Sequence, residues 1–312
     1  MFFKDPDPSP RGVPLGDLEA ALSLTNLKPR RRGDSLIIQN DKLTTVVSVL
    51  KPPNEETENG PISAVVTVET KLNSEFGKVF SKPTLISAIN TQASLGAVTQ
   101  RGKDFLIESR LTVYEGDDAW GIQFPLLLFT IIASVDSVLG AVRRMLGNEP
   151  RKYGPSEWEA ADFEQAKNHL SKVCVCTTGP TGFTAEFGLR RDAISAANGD
   201  HETALWQMKS DEPHPELGGG LFCILQMPHQ IENDERLHKV IQELNKMEMT
   251  PHDLPPHFGA WCIGLRGNNP AYVSFLPNVL HQKKGIAVNV SIWALHRANW
   301  ANSMLISMGV QP

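Results

Sequence analysis

Apolar and polar positions along the first half of the chain change period several times, and each change marks an element. The stretches at 35–39, 43–50 and 62–72 read SLIIQ, LTTVVSVL and ISAVVTVETKL, rich in Val, Ile and Thr, as strands of a sheet are. A short helical pattern at 15–24 precedes them, and the polar loop KPPNEETENGP separates the last two. Ser81-Lys82-Pro83 opens a helix that runs to about Gln92, with proline in the first turn where its missing N–H costs nothing. Two further strands, 95–100 and 105–114, flank the turn Arg101-Gly102-Lys103-Asp104, and an apolar helix follows at 124–146. The predicted unit is α-β-β-β-α-β-β-α.

Turn-forming residues then cluster in GNEPRKYG, 147–154, which predicts a boundary. Beyond it the order recurs. Pro155-Ser156-Glu157 opens a helix to Leu170, followed by strands at 173–177 and 183–189. A third strand reads as interrupted, 204–208 and 221–227, by the insertion KSDEPHPELGGG. A helix at 233–247, a hairpin around Gly267-Asn268-Asn269-Pro270 and a final helix at 285–305 complete the second half. Short matches accompany the common order. Ile89-Asn90…Leu95-Gly96-Ala97 parallels Leu244-Asn245…Phe258-Gly259-Ala260, Ser109-Arg110-Leu111 parallels Ser274-Phe275-Leu276, and Gly121-Ile122 parallels Gly285-Ile286. The expectation is an α+β protein of two similar units, 1–150 and 151–312, each a mainly antiparallel sheet covered by helices. The competing reading is two unrelated α+β domains of similar element order.

This unit resembles the type III secretion chaperone-like fold, including bacterial proteins of the YbjN type. In that family a Leu-Asn at the end of the central helix precedes a hairpin and a final helix, and here Ile89-Asn90 and Leu244-Asn245 stand at that place. The resemblance covers nearly the whole chain in two copies, departing from the pattern at KSDEPHPELGGG. It implies binding of a protein or peptide rather than catalysis. Secretion chaperones of this kind work as homodimers, so the resemblance also implies a built-in pseudo-dimer, or a homodimer.

Composition narrows the classes. The chain has 312 residues, 41% apolar and 21% charged, as expected of a globular protein with room for two cores. Its net charge of -5 is spread evenly, 16 basic against 18 acidic residues up to Pro150 and 14 against 17 after it, which disfavours nucleic acid as a partner. The basic run Arg30-Arg31-Arg32 reads as a solvated linker rather than a phosphate site. The start MFFKDPDPSPRG has no apolar core of signal-peptide length, and the most apolar run, FPLLLFTIIASV, is shorter than the about twenty residues of a membrane span. A cytoplasmic protein is therefore expected. Cys174, Cys176, Cys223 and Cys262 form no C-x-x-C pair and read as free thiols. Cys174 and Cys176 would point alike on a strand without meeting in disulfide geometry.

No nucleophile elbow, Walker motif or dinucleotide fingerprint is present, so no catalytic residue, cofactor or metal is assigned. His252 and His257 in PHDLPPH are the best metal candidates, but zinc needs three or four convergent ligands. KSDEPHPELGGG reads as a flexible surface loop. All nine histidines follow residue 168 and five of six tryptophans follow Pro150, which leaves open an enzyme or small-ligand site in the second half. The most specific feature lies in the final helix. Trp293, Arg297 and Trp300 share one stripe at helical spacing, and a guanidinium between two indoles makes a ladder suited to a partner. The alternative is the same helix packed on its own sheet, with Arg297 satisfied internally. The leading reading is a non-enzymatic, polypeptide-binding adaptor, and a purely structural oligomer component is a third possibility.

Overall fold

A computed structural model describes residues 15–25, 27–40, 43–50, 56–57, 60–72, 83–92, 94–114, 120–145, 154–189, 202–250, 255–264 and 267–311. In the first half these form α1 (Leu15–Ser23), β1 (Pro29–Arg32), β2 (Ser35–Asn40), β3 (Leu43–Leu50), β4 (Glu56–Thr57), β5 (Gly60–Lys71), α2 (Pro83–Asn90), β6 (Ala97–Arg101), β7 (Asp104–Tyr114) and α3 (Trp120–Met145). The second half contributes α4 (Ala160–Leu170), β8 (Val175–Gly179), β9 (Gly182–Gly188), β10 (Thr203–Lys209), β11 (Gly220–Gln226), α5 (Asp234–Glu248), β12 (Ala260–Ile263), β13 (Pro270–Pro277) and α6 (Ile286–Ser307). A single 3-10 turn, Asn278–Gln282, precedes α6.

The protein is α+β, with one antiparallel sheet from each half. The strand orders are β1-β2-β3-β5-β7-β6, with β4 on β5, and β8-β9-β10-β11-β13-β12. Taken in chain order within each half, these are the same topology: four strands in sequence, then the central helix, then a hairpin added in reverse. Apart from the two-residue β4, each unit has four strands before the central helix where three were expected, for two local reasons. Pro29–Arg32, expected to be a linker, pairs with β2 as an edge strand and keeps its arginines exposed. The interrupted third strand of the second half is two strands, β10 and β11, paired antiparallel from Leu205↔Gln226 to Lys209↔Phe222.

The recurring asparagines explain how each hairpin is held. Asn90 donates from Nδ2 to the Val98 carbonyl (3.1 Å) and accepts the Val98 N–H at Oδ1 (2.8 Å). Asn245 does the same to Trp261, at 2.9 and 2.8 Å. Both amides are buried. One side chain thus satisfies both backbone groups of an inner-hairpin residue, which a leucine could not do. Replacing Asn245 with alanine is expected to cost about 2 kcal/mol, because two buried backbone groups lose their partner. A urea titration of the variant checks this, and a midpoint equal to that of the parent would refute the clamp.

The two units dock reciprocally. Helix α2 rests on β12, α5 rests on β6, the two helices touch, and Ala97 and Ala260, equivalent residues, meet between them. His257 and Arg110 exchange backbone hydrogen bonds (2.7 and 3.2 Å), and at the equivalent place Ser94 Oγ donates to the Phe275 carbonyl at 2.8 Å. This is the pattern of a twofold interface, residue i on j and j on i, built within one chain. The largest buried apolar cluster runs from Leu15 to Val310, so the halves share a core.

The loop between β10 and β11, expected to be a flexible surface loop, is part of this docking. His214 is buried and its Nε2–H donates to the Gln92 carbonyl (2.8 Å), while its Nδ1 accepts from the Glu216 and Leu217 N–H groups. Glu216 pairs with Arg144 of α3 at 2.5 Å. The triple glycine follows from this path. Gly218 has φ +84, and a Cβ at Gly219 or Gly220 would lie 2.2 Å from the Pro155 carbonyl or 2.4 Å from that of Leu276.

Within α3, the segment Gln123–Met145 is long and apolar enough to cross a membrane, well beyond the short run that stood out in the sequence. Its most apolar window is 61% buried in the molecule. There Leu126, Leu127 and Ile131 join the shared core. It is packed as a core helix.

Candidate functional site

The densest polar cluster forms where the end of α5 meets β7 and α6. Glu248, Arg110 and Arg297 are all buried, and each comes from a different element. Arg297 approaches Glu248 with Nε to Oε1 at 2.7 Å and Nη2 to Oε2 at 3.3 Å, a two-pronged ion pair. Its Nη2 also donates to the Pro256 carbonyl at 2.7 Å, and its guanidinium lies over the Tyr272 ring, 4.1 Å from the centroid. Trp261 Nε1 donates to Glu248 Oε1 at 3.0 Å. Arg110 reaches across from the first unit and donates to the Glu248 carbonyl, to Thr112 Oγ1 and, at 3.0 Å, to the Pro255 carbonyl. His257 Nδ1 lies 3.6 Å from Glu248 Oε2 and 3.3 Å from the Tyr272 hydroxyl.

Two guanidiniums face one carboxylate, and backbone carbonyls and an aromatic face take up the remaining positive charge. Burial alone would raise the Glu248 carboxyl, but Arg297, His257 and Arg110 together hold it down at about 2. Burial lowers Arg110 to about 10 against the pull of Glu248, so it stays charged near neutrality. For Arg297 the attraction of Glu248 and Tyr272 outweighs burial, and its pKa rises. Burial pushes the Tyr272 phenol well above its usual range. The adjoining cavity, lined by Arg297, Tyr272, Trp293, Phe258 and Trp206 among others, measures about 20 Å³. That is room for about one water. The cluster ties Arg110 of the first unit to the end of α5 in the second.

This placement matches the alternative reading of the final helix, packed on its own sheet with Arg297 satisfied internally, rather than the partner-facing ladder. Arg297 is buried against Glu248 and Tyr272, not held between two exposed indoles. Trp293 lines the small cavity, and Trp300 is half-buried against Trp261, with ring centroids 6.4 Å apart. Helical spacing did put the three on one stripe, but Ala294, Ala298 and Ala301 turn that side of α6 inward. Of the metal candidates, His252 lies outside the described residues, and His257 is committed to the buried cluster. Among the described residues, no three His, Cys, Asp or Glu side chains converge to hold a metal ion. Glu248 and Arg110 were not singled out as site residues from the sequence. The usable signal was a charge at a position that periodicity assigns to the interior, as Glu248 on the helical stripe of Leu237, Ile241 and Leu244; alternation in IESRLTVY puts Arg110 on the polar face with Glu108 and Thr112.

A second, open feature lies on the outer part of the second sheet. Among the described residues, β8 is an edge strand that pairs with β9 alone. Val175, and Val173 in the turn before the strand, are each 67% exposed. Beside them a groove of about 350 Å³ crosses β8, β9 and β10, with Thr177, Thr184, Gln207, Lys209, Asp211 and Glu212 on its walls. The equivalent edge of the first sheet is β1, where Pro29 and the three exposed arginines occupy the corresponding positions. Charges and proline are the usual means by which an edge is protected from pairing with another chain. One edge is thus blunted, and its counterpart, VCTTG, carries neither proline nor charge.

No family model matches the chain, and no curated protein matches it. Among solved structures, one described as the crystal structure of the di-domain ARO/CYC StfQ from the steffimycin biosynthetic pathway is 10% identical, aligned over 95% of this chain and 93% of its own. Its TM-score is 0.15, at which the likeness carries no argument about fold or function.

Proposed function

We propose that the protein is a non-enzymatic, polypeptide-binding adaptor of the cytoplasm, and that its partner adds an extended segment to the free edge of β8. The observation that carries this is the contrast between the two equivalent edges: β1 protected by Pro29 and arginines, β8 free of proline and charge and bearing exposed Val175. Edge addition takes its affinity from main-chain hydrogen bonds and its selectivity from alternate side chains. The adjoining groove over Thr177, Thr184 and Gln207 supplies a surface for those side chains. The resemblance to type III secretion chaperone-like proteins belongs to this proposal, as does the reading of the chain as a monomer with dimer-like architecture.

The test is a photoactivatable cross-linker placed at Val175, with Arg31 on the protected edge as the control site. Irradiation in native extract should give a discrete polypeptide adduct at Val175 and none at Arg31. Thr178→Pro, which removes an N–H directed away from β9, should abolish binding of the identified partner. Equal labelling at both edges, or capture unaffected by the proline, sinks the proposal. A second reading, a small polar ligand in the same groove, rests on its hydroxyl, amide and carboxylate walls. Raised melting temperature in a screen of soluble metabolites, lost in Gln207→Ala, would favour it.

A further inference from the structure

Two of the four cysteines meet at the foot of β8. Cys174 Sγ and Cys176 Sγ lie 3.5 Å apart, and both residues are partly exposed, whereas Cys223 and Cys262 are buried. Side chains two apart on a regular strand point alike without touching, which is what the sequence pattern leads one to expect. The geometry differs because Cys174 precedes the strand. It belongs to the turn that follows α4, where both its N–H (3.0 Å) and its Sγ (3.3 Å) are directed to the Leu170 carbonyl. That bend brings its sulfur against that of Cys176.

We propose that Cys174 and Cys176 form a reversible dithiol site, a target for modification by low-molecular-weight disulfides that closes to a Cys174–Cys176 disulfide. The co-reactant is a disulfide RS–SR of the glutathione class. In the first step the Cys176 thiolate attacks one sulfur of RS–SR, forming a mixed disulfide and expelling RS⁻, which takes up the proton that Cys176 released. In the second, the Cys174 thiolate attacks Cys176 Sγ, and the second RS⁻ leaves and takes up the proton of Cys174. The balance is two protein thiols and one RS–SR in, one protein disulfide and two RSH out.

The order of attack follows from the surroundings. Burial, and after it the neighbouring Cys176, pushes the Cys174 thiol up to about 12, which makes it the poorer first nucleophile. Once Cys176 is capped, one of those two causes is removed, and the attacking sulfur already stands beside its target. Closure must shorten the sulfur separation from 3.5 Å to the about 2.05 Å of a bond, in a small ring. Strained disulfides of this kind are readily reduced, which suits a site that opens and closes rather than a permanent staple.

The experiment uses the full chain in buffers that run from reduced glutathione to its disulfide, quenched with acid, alkylated and mapped by mass. The expected product is lighter by two hydrogen atoms, links Cys174 to Cys176, and reverts with dithiothreitol. Cys174→Ser and Cys176→Ser should each abolish that product, Cys174→Ser stopping at the mixed glutathione adduct. Cys223→Ser should close as the parent does. Phenylarsine oxide, which needs two adjacent thiols, should bind the reduced parent and neither single variant of the pair. A parent that accumulates the mixed adduct without closing, stays unreacted at the oxidising end, or links a different pair overturns the proposal.

Discussion

Replacing Arg297 with alanine is expected to lower the unfolding free energy by about 3–5 kcal/mol, the largest loss of any single side-chain change considered for this protein. The change removes the guanidinium that pairs with Glu248 and caps the Pro256 carbonyl, and it leaves a carboxylate with no access to water. It also uncovers the face of Tyr272. Lysine should recover only part of the loss, since one ammonium cannot reproduce a fork on Oε1 and Oε2. Equilibrium denaturation of both variants checks the order parent, lysine, alanine. A stability within about 0.5 kcal/mol of the parent for Arg297→Ala would show that the ion pair is not a structural lock.

The second large effect is acid sensitivity centred on Glu248. Its carboxyl is held at about 2 in the folded protein against an ordinary 4.5. A depressed carboxyl stabilises the fold fully above its unfolded value, and that contribution disappears as pH falls through the folded value. The difference corresponds to about 3 kcal/mol in all, with more than half gone by pH 3. Other carboxylates titrate in the same range, so the informative quantity is the parent's stability minus that of Glu248→Gln. The gap should be widest above pH 5 and should narrow steadily towards pH 2. A gap constant from pH 6 to pH 3 would rule out a buried, charged Glu248.

Element positions were largely visible in the sequence because the strands carry Val, Ile and Thr, alternating in burial along β3 and nearly continuously buried in β5. The asparagine pair was visible as a repeated Asn ahead of Gly-Ala, although its role as a clamp on Val98 and Trp261 needed coordinates. The strand β1 was hidden because an outer edge strand needs no apolar side chain. Backbone bonds from Pro29↔Ile38 to Arg32↔Ser35 hold it, and its arginines stay in water. The loop KSDEPHPELGGG misled for the opposite reason. Its prolines and glycines mark a path made rigid by close approach, and its His214 and Glu216 bond to Gln92 and Arg144 of the other unit. The buried cluster was illegible for a deeper reason. Arg110 and Glu248 are 138 positions apart, and periodicity describes neighbours within an element, not meetings between units. Arg297 was noticed, but spacing alone cannot say which way a helical stripe turns.

The reciprocal docking of the two units has a consequence for how the protein responds to dilution. In a true homodimer the same contacts would be second order, and the midpoint of unfolding would fall as the protein is diluted. Here the covalent tie between Met145 and Gly154 makes docking an intramolecular event at a fixed effective concentration. Fusion also frees each copy to change alone. Where the first unit has Val98 and Ile107, the second carries Trp261 and Tyr272, and the Glu248–Arg297 ion pair lies against them. Tethering thus turns a symmetric handshake into two unlike hands, one that grips and one that is gripped.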